Sequence, residues 1–145
     1  MSAVNGEPAP GVATLELGTL PDGKRVIAAR EDANVFPIAL TVYAFSGDRP
    51  GLNECAGICS VSWVPLLSSL APHVANGISA SDVGLIRRAN GSRQVTYEGK
   101  PLYLYSREEV FLTRAGLLQA SGTAGNGEGH AGPDGGRFTF VEPSS

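Results

Sequence analysis

Val42-Tyr43-Ala44-Phe45-Ser46-Gly47-Asp48 and Leu102-Tyr103-Leu104-Tyr105-Ser106-Arg107-Glu108 match position by position as apolar, Tyr, apolar, aromatic, Ser, variable, acid, sixty residues apart. On an extended strand the Tyr and the next aromatic share one face, while Ala44 or Leu104 points to the other. A strand apolar on both faces is a central, buried one. Recurrence of the window predicts two similar strand units that bury their faces against each other, although identity outside it is low. The chain therefore reads as mainly β, with short antiparallel strands and hairpins in a two-copy repeat whose copies span about 12–67 and 82–141.

The surroundings extend this reading. Val12 to Leu17 alternates, Pro21-Asp22-Gly23 is a turn triplet, and Lys24 to Ala29 returns as the second arm of a hairpin. Asp32-Ala33-Asn34 turns again, and Pro37 delays the next strand to Ile38–Phe45. In the second copy, Gly84 to Ala89, Asn90-Gly91, Ser92 to Tyr97, Glu98-Gly99-Lys100 and Pro101 to Tyr105 predict a three-stranded meander. Arg137 to Val141 is a last alternating strand. Two helical segments interrupt the pattern. Asn53 is a candidate N-cap for a short helix that carries Cys55, Cys59 and Trp63 on one face and stops at Pro65. Ser106-Arg107-Glu108-Glu109 fits a capping box, and Val110, Phe111, Ala115, Leu117 and Leu118 predict a further helix ending near Gly122. Leu66 to Asn76, broken by Pro72, reads as a packed loop.

At 145 residues and 15.0 kDa the chain fits one domain, placed at 12–142 between a flexible arm, 1–11, and a short tail, 143–145. Nineteen glycines and ten prolines against 42% apolar content favour short strands over long helices. The net charge of −3, with no basic cluster beyond Arg87-Arg88 and Arg93, argues against nucleic acid and anionic membrane surfaces as partners. No run approaches the roughly 18 apolar residues that span a bilayer. The first twenty residues lack a basic segment followed by an apolar one, so the opening reads either as a native cytosolic start or as the mature end of an exported protein given a new Met.

Several groups carry chemical potential. Cys55 and Cys59, four apart on a helical turn, would bring their Cα atoms to about 6 Å, a span a disulfide can bridge. A structural disulfide is the favoured reading, with packed reduced thiols and a redox or soft-metal pair as alternatives. His73 and His130 are the only histidines, and their distances from the cysteines match no compact ligand set, so no metal and no cofactor are expected. His130 lies among glycines with Glu128 and Asp134, where the backbone can approach a ligand closely. Tyr43, Phe45, Tyr97, Tyr103 and Tyr105, with Phe138 and Phe140, read either as core aromatics or as the lining of a site for an apolar or planar ligand. Tyr43, Asp48, Tyr103, Glu108 and His130 are the candidates for acid/base chemistry. No Gly-x-Ser-x-Gly elbow or phosphate-binding loop is present.

Tyr43-Ala-Phe45-Ser-Gly-Asp48-Arg-Pro-Gly51, Cys55-Ala-Gly-Ile-Cys59, Trp63-Val-Pro-Leu66 and Gln94-Val-Thr-Tyr-Glu-Gly-Lys-Pro-Leu-Tyr-Leu-Tyr105 together resemble a bacterial family of secreted repeats and predicted lipoproteins with a Tyr-x-aromatic-x-x-Asp motif. The resemblance covers roughly residues 12 to 141. It implies an exported, β-rich, disulfide-bearing domain of largely uncharacterised function. Glu108 departs from the motif's Asp, the expected second helix and the ending Phe138-Thr-Phe140 depart from the family's last strand, and no lipobox Cys stands near the start. The expectation is an envelope or secreted structural or ligand-binding module, cytoplasmic instead if Met1 is the native start. Its partner would be an apolar or planar small molecule or an envelope protein. The alternative is a small enzyme using Tyr and carboxylate groups on an apolar substrate, with the second helix and the His130 loop as its wall.

Overall fold

The structure is a computed structural model that describes residues 11–31, 39–46, 62–75, 77–88, 91–107, 111–112, 120–121, 125, 127–130 and 136–143. Among these the chain is mainly β and its large sheet is curled. Strands β1 (Ala13–Thr19), β2 (Arg25–Glu31) and β3 (Leu40–Phe45) form one antiparallel meander. Strands β6 (Val83–Arg87), β7 (Arg93–Tyr97) and β8 (Lys100–Tyr105) form a second, preceded by a single 3-10 turn at Ala80–Asp82.

The turns follow from the residues that occupy them. In the first hairpin Gly23 adopts φ +93°, and its N–H donates to the Leu20 carbonyl while the Leu20 N–H donates to Lys24 O. In the second, Gly91 adopts φ +89°, its N–H donates to the Arg88 carbonyl, and the Arg88 N–H donates to Ser92 O. Each bond of one hairpin has a counterpart in the other at the same spacing. Between β7 and β8, Glu98 at φ 51° and Gly99 at φ 81° form a two-residue loop closed by the Tyr97–Lys100 pair. That positive-φ pair is the twist-compatible way to join two strands so tightly.

The meanders join along β3 and β8, which pair antiparallel with Tyr43 opposite Tyr103. Strand β4 (Trp63–Pro65), which follows the first meander, pairs with β8 of the second. Strand β11 (Phe138–Phe140), which follows the second, pairs with β3 of the first. The ends of these short strands are held alike: Ser106 N–H donates to Ser62 O and Ser46 N–H to Arg137 O, both 2.9 Å. Further along, Val95 N–H donates to Leu66 O and Ile27 N–H to Val141 O, both 2.8 Å. Strand β5 (His73–Val74) adds parallel to the outer edge of β1.

Alternation sorts the side chains onto two faces. Leu15, Ile27, Ala29, Val42, Val95, Leu102 and Leu104 line an aliphatic face, closed by Leu66, Ile78 and Val141. Tyr43, Phe45, Trp63, Tyr103 and Phe138 fill the opposite face near the centre. At the exposed β1–β2 surface, Arg30 donates to Glu16 at 2.7 Å, and that bond raises the guanidinium pKa above its ordinary value.

Several expectations need correction. Trp63 does not lie on a helix with the cysteines: it opens β4 opposite Tyr105, and the alternating burial of Trp63-Val64-Pro65 is a strand pattern. Within the span of the helix expected after Ser106, β9 (Phe111–Leu112) and β10 (Ala120–Ser121) pair as a strand ladder, while 108–110 and 113–119 lie outside the described residues. Phe111, an aromatic with high strand propensity, suits a strand as well as a helix. The expected loop at 66–76 contains β5 and a bridge between Leu67 and Gln94. Cys55 and Cys59, with the rest of the short helix expected around them, lie outside the described residues, as do Asp48 and Glu108.

Candidate functional site

The site candidate is the aromatic face. On β3 and β8, Tyr43, Phe45, Tyr103 and Tyr105 occupy alternate positions and project to the same side. Trp63 stands beside Tyr105 and Phe138 beside Phe45, each delivered by the strand that crosses from the other half of the chain. The rings form a column. Phe45 stacks on Phe138 at 4.6 Å, Phe138 on Trp63 at 3.9 Å with planes 2° apart, and Trp63 on Tyr105 at 4.5 Å. Tyr43 meets Trp63 edge-on at 5.2 Å and Tyr103 meets Phe138 edge-on at 5.5 Å, the T-shaped geometry that the ring quadrupoles favour.

His130 continues the column at its outer end. Its imidazole lies 5.1 Å from the Tyr105 ring and 6.1 Å from the Trp63 ring. The turn that carries it is well bonded. Gly129 N–H donates to Phe138 O at 2.7 Å, Phe138 N–H returns a bond to His130 O at 2.9 Å, and Phe140 N–H donates to Glu128 Oε1 at 2.7 Å. The Arg137 guanidinium donates to Gly129 O at 2.9 Å. The same turn reaches the column at Gly127, whose N–H donates to the Tyr43 hydroxyl at 2.9 Å. A Cβ at Gly127 would come within 2.8 Å of the indole and 2.9 Å of the Tyr43 ring, so only glycine lets the backbone lie this close.

Exposure along the column is graded. Phe45, Phe138 and Trp63 are buried, Tyr105 is half-buried and His130 is exposed. Tyr43 and Tyr103 are fully buried and present no surface to a substrate. The expected ligand-lining residues therefore divide. Tyr43, Phe45, Tyr103 and Tyr105 come together, whereas Tyr97 lies on the aliphatic face of the sheet. Trp63 and the close approach of Gly127 are the features that the sequence reading did not assign to the site. The alternation around Trp63 was the signal available for it. His73 sits on β5, exposed, and among the described residues no three of His, Cys, Asp and Glu are placed to share a metal ion. Among them, too, no helix is long and apolar enough to cross a membrane.

The chain matches no family profile, no curated protein and no solved structure.

Proposed function

We propose that this chain is a non-catalytic module of the cell envelope or secreted space, a two-copy β repeat whose ring column is core in its middle and a platform for an apolar or planar small molecule at its Tyr105–His130 end. The observation that carries the reading is the continuity of ring contacts from stacked, buried Phe138 and Trp63 through half-buried Tyr105 to exposed His130, whose ring lies tilted against Tyr105. A planar ligand gains most where one aromatic face is rigid and partly uncovered, because the order of that face is already paid for by the core.

The repeat is supported by the paired hydrogen bonds of the two halves. Gly23 and Gly91 occupy the same place in equivalent hairpins, Ser46 and Ser106 donate to equivalent carbonyls, and Val141 and Leu66 accept from equivalent strands. Export rests on the resemblance to secreted repeats together with the Cys55 and Cys59 spacing. Non-reducing mass spectrometry of protein from its native compartment tests it: a mass two daltons below the reduced chain supports export, and two free thiols count against it. The platform is tested by titrating the protein with a planar apolar dye, with loss of binding expected in Tyr105→Ala.

A further inference from the structure

The two halves of the chain hold each other by exchanged strands. Trp63–Pro65, from the first half, pairs with β8 of the second, and Phe138–Phe140, from the second, pairs with β3 of the first. Residues on either side extend the exchange: Leu66 N–H donates to Leu102 O, Ser68 N–H to Arg93 O and Ile27 N–H to Val141 O. Each half thus has a strand whose hydrogen-bonding edge is paired by a strand of the other half. The covalent link between halves is narrow by comparison. Between β5 and the 3-10 turn at Ala80–Asp82 it includes a turn in which Ile78 N–H donates to Ala75 O at 3.2 Å and Gly77 adopts φ +95°. A Cβ at Gly77 would lie 2.6 Å from Leu17 Cδ1.

From these facts we infer that the partner surface of this protein fits a second copy of the same chain, and that opening the Ala75–Ile78 turn lets two chains trade halves into a closed two-fold dimer. In that dimer the first half of one chain packs with the second half of the other, and every strand pairing of the monomer is made twice. Only the turn changes, which is the condition under which exchange is a low-cost route to dimers. The inference rests on the strand pairings alone and stands whether or not the column binds a ligand.

The test refolds the full-length chain from denaturant at low and high protein concentration and follows it by size-exclusion chromatography with light scattering. A dimer that grows with refolding concentration and keeps the monomer's near-ultraviolet circular dichroism is expected. To identify the exchange, Val64→Cys and Leu104→Cys are introduced with Cys55→Ser and Cys59→Ser, because Val64 and Leu104 stand directly opposite on β4 and β8. Oxidation is expected to link two chains in the dimer peak and to close within one chain in the monomer peak. Gly77→Pro, which cannot adopt the positive φ of the turn, is expected to raise the dimer fraction several-fold. Refolded wild-type protein that is monomeric at every concentration overturns the inference, as does a dimer with only intrachain bonds. Should Gly77→Pro fail to fold, the wild-type result decides.

Discussion

The indole of Trp63 and the ring of Phe138 lie 3.9 Å apart with planes 2° from parallel, although one follows the first meander and the other the second. Phe45 flanks this pair on one side and Tyr105 on the other, so each half contributes one central and one flanking ring to the stack. The pair is where the two halves meet.

Removal of either central ring leaves a cavity that neighbouring rings cannot fill. Trp63→Ala and Phe138→Ala are each expected to lower unfolding stability by about 3–5 kcal/mol. Urea denaturation checks this, and a double-mutant cycle is expected to return a coupling of about 0.5–1.5 kcal/mol between the two rings.

Gly127→Ala places a methyl group within 2.9 Å of two buried rings, and is expected to cost about 1–3 kcal/mol. Tyr43→Phe instead leaves the buried Gly127 N–H without its acceptor, at about 1–3 kcal/mol. Both are measured by thermal or denaturant melts, with near-ultraviolet circular dichroism reporting the ring packing.

Gly23 and Gly91 share a positive φ and have no atom within 4 Å of a Cβ position, so alanine there meets only backbone strain. Gly23→Ala and Gly91→Ala are expected to destabilise by similar amounts, about 1 kcal/mol each. Clearly unequal losses in parallel melts would count against equivalent hairpins in a repeat.

Thr41 is fully buried, and among the described residues nothing bonds its hydroxyl. Thr41→Val removes an unsatisfied polar atom at nearly constant shape, and a stability unchanged or raised by up to about 1 kcal/mol is expected in the same assay.

The strand pattern was largely legible in the sequence, and the reasons for the rest are physical. Turn residues and alternation placed both hairpins and the central Tyr43 and Tyr103 strands, because local backbone preference and global topology agree there. Trp63 was read through the four-residue spacing from the cysteines, a helical period that its own strand neighbours do not share. The stretch after Ser106 carries a genuine capping signal, yet Phe111 and Leu112 pair across to Ala120 and Ser121. That Tyr43 with Phe45 and Tyr103 with Tyr105 share a face was legible from alternation, but the contacts of Trp63 and Phe138 between them were not. Tyr97 differs from Tyr103 only in the face its register assigns it, and register is set by pairing between distant strands.

The central claim is that the outer end of the column binds a planar apolar ligand, and Trp63, the only tryptophan, sits next to that end. The most direct measurement is its fluorescence during titration with a planar apolar dye, in wild type, Tyr105→Ala, His130→Ala and the remote control Glu16→Gln. The account predicts a saturable change in wild type and Glu16→Gln, weakened at least tenfold in both column variants while their folded circular dichroism persists. A flat titration in wild type, or an undiminished one in folded Tyr105→Ala and His130→Ala, would contradict it.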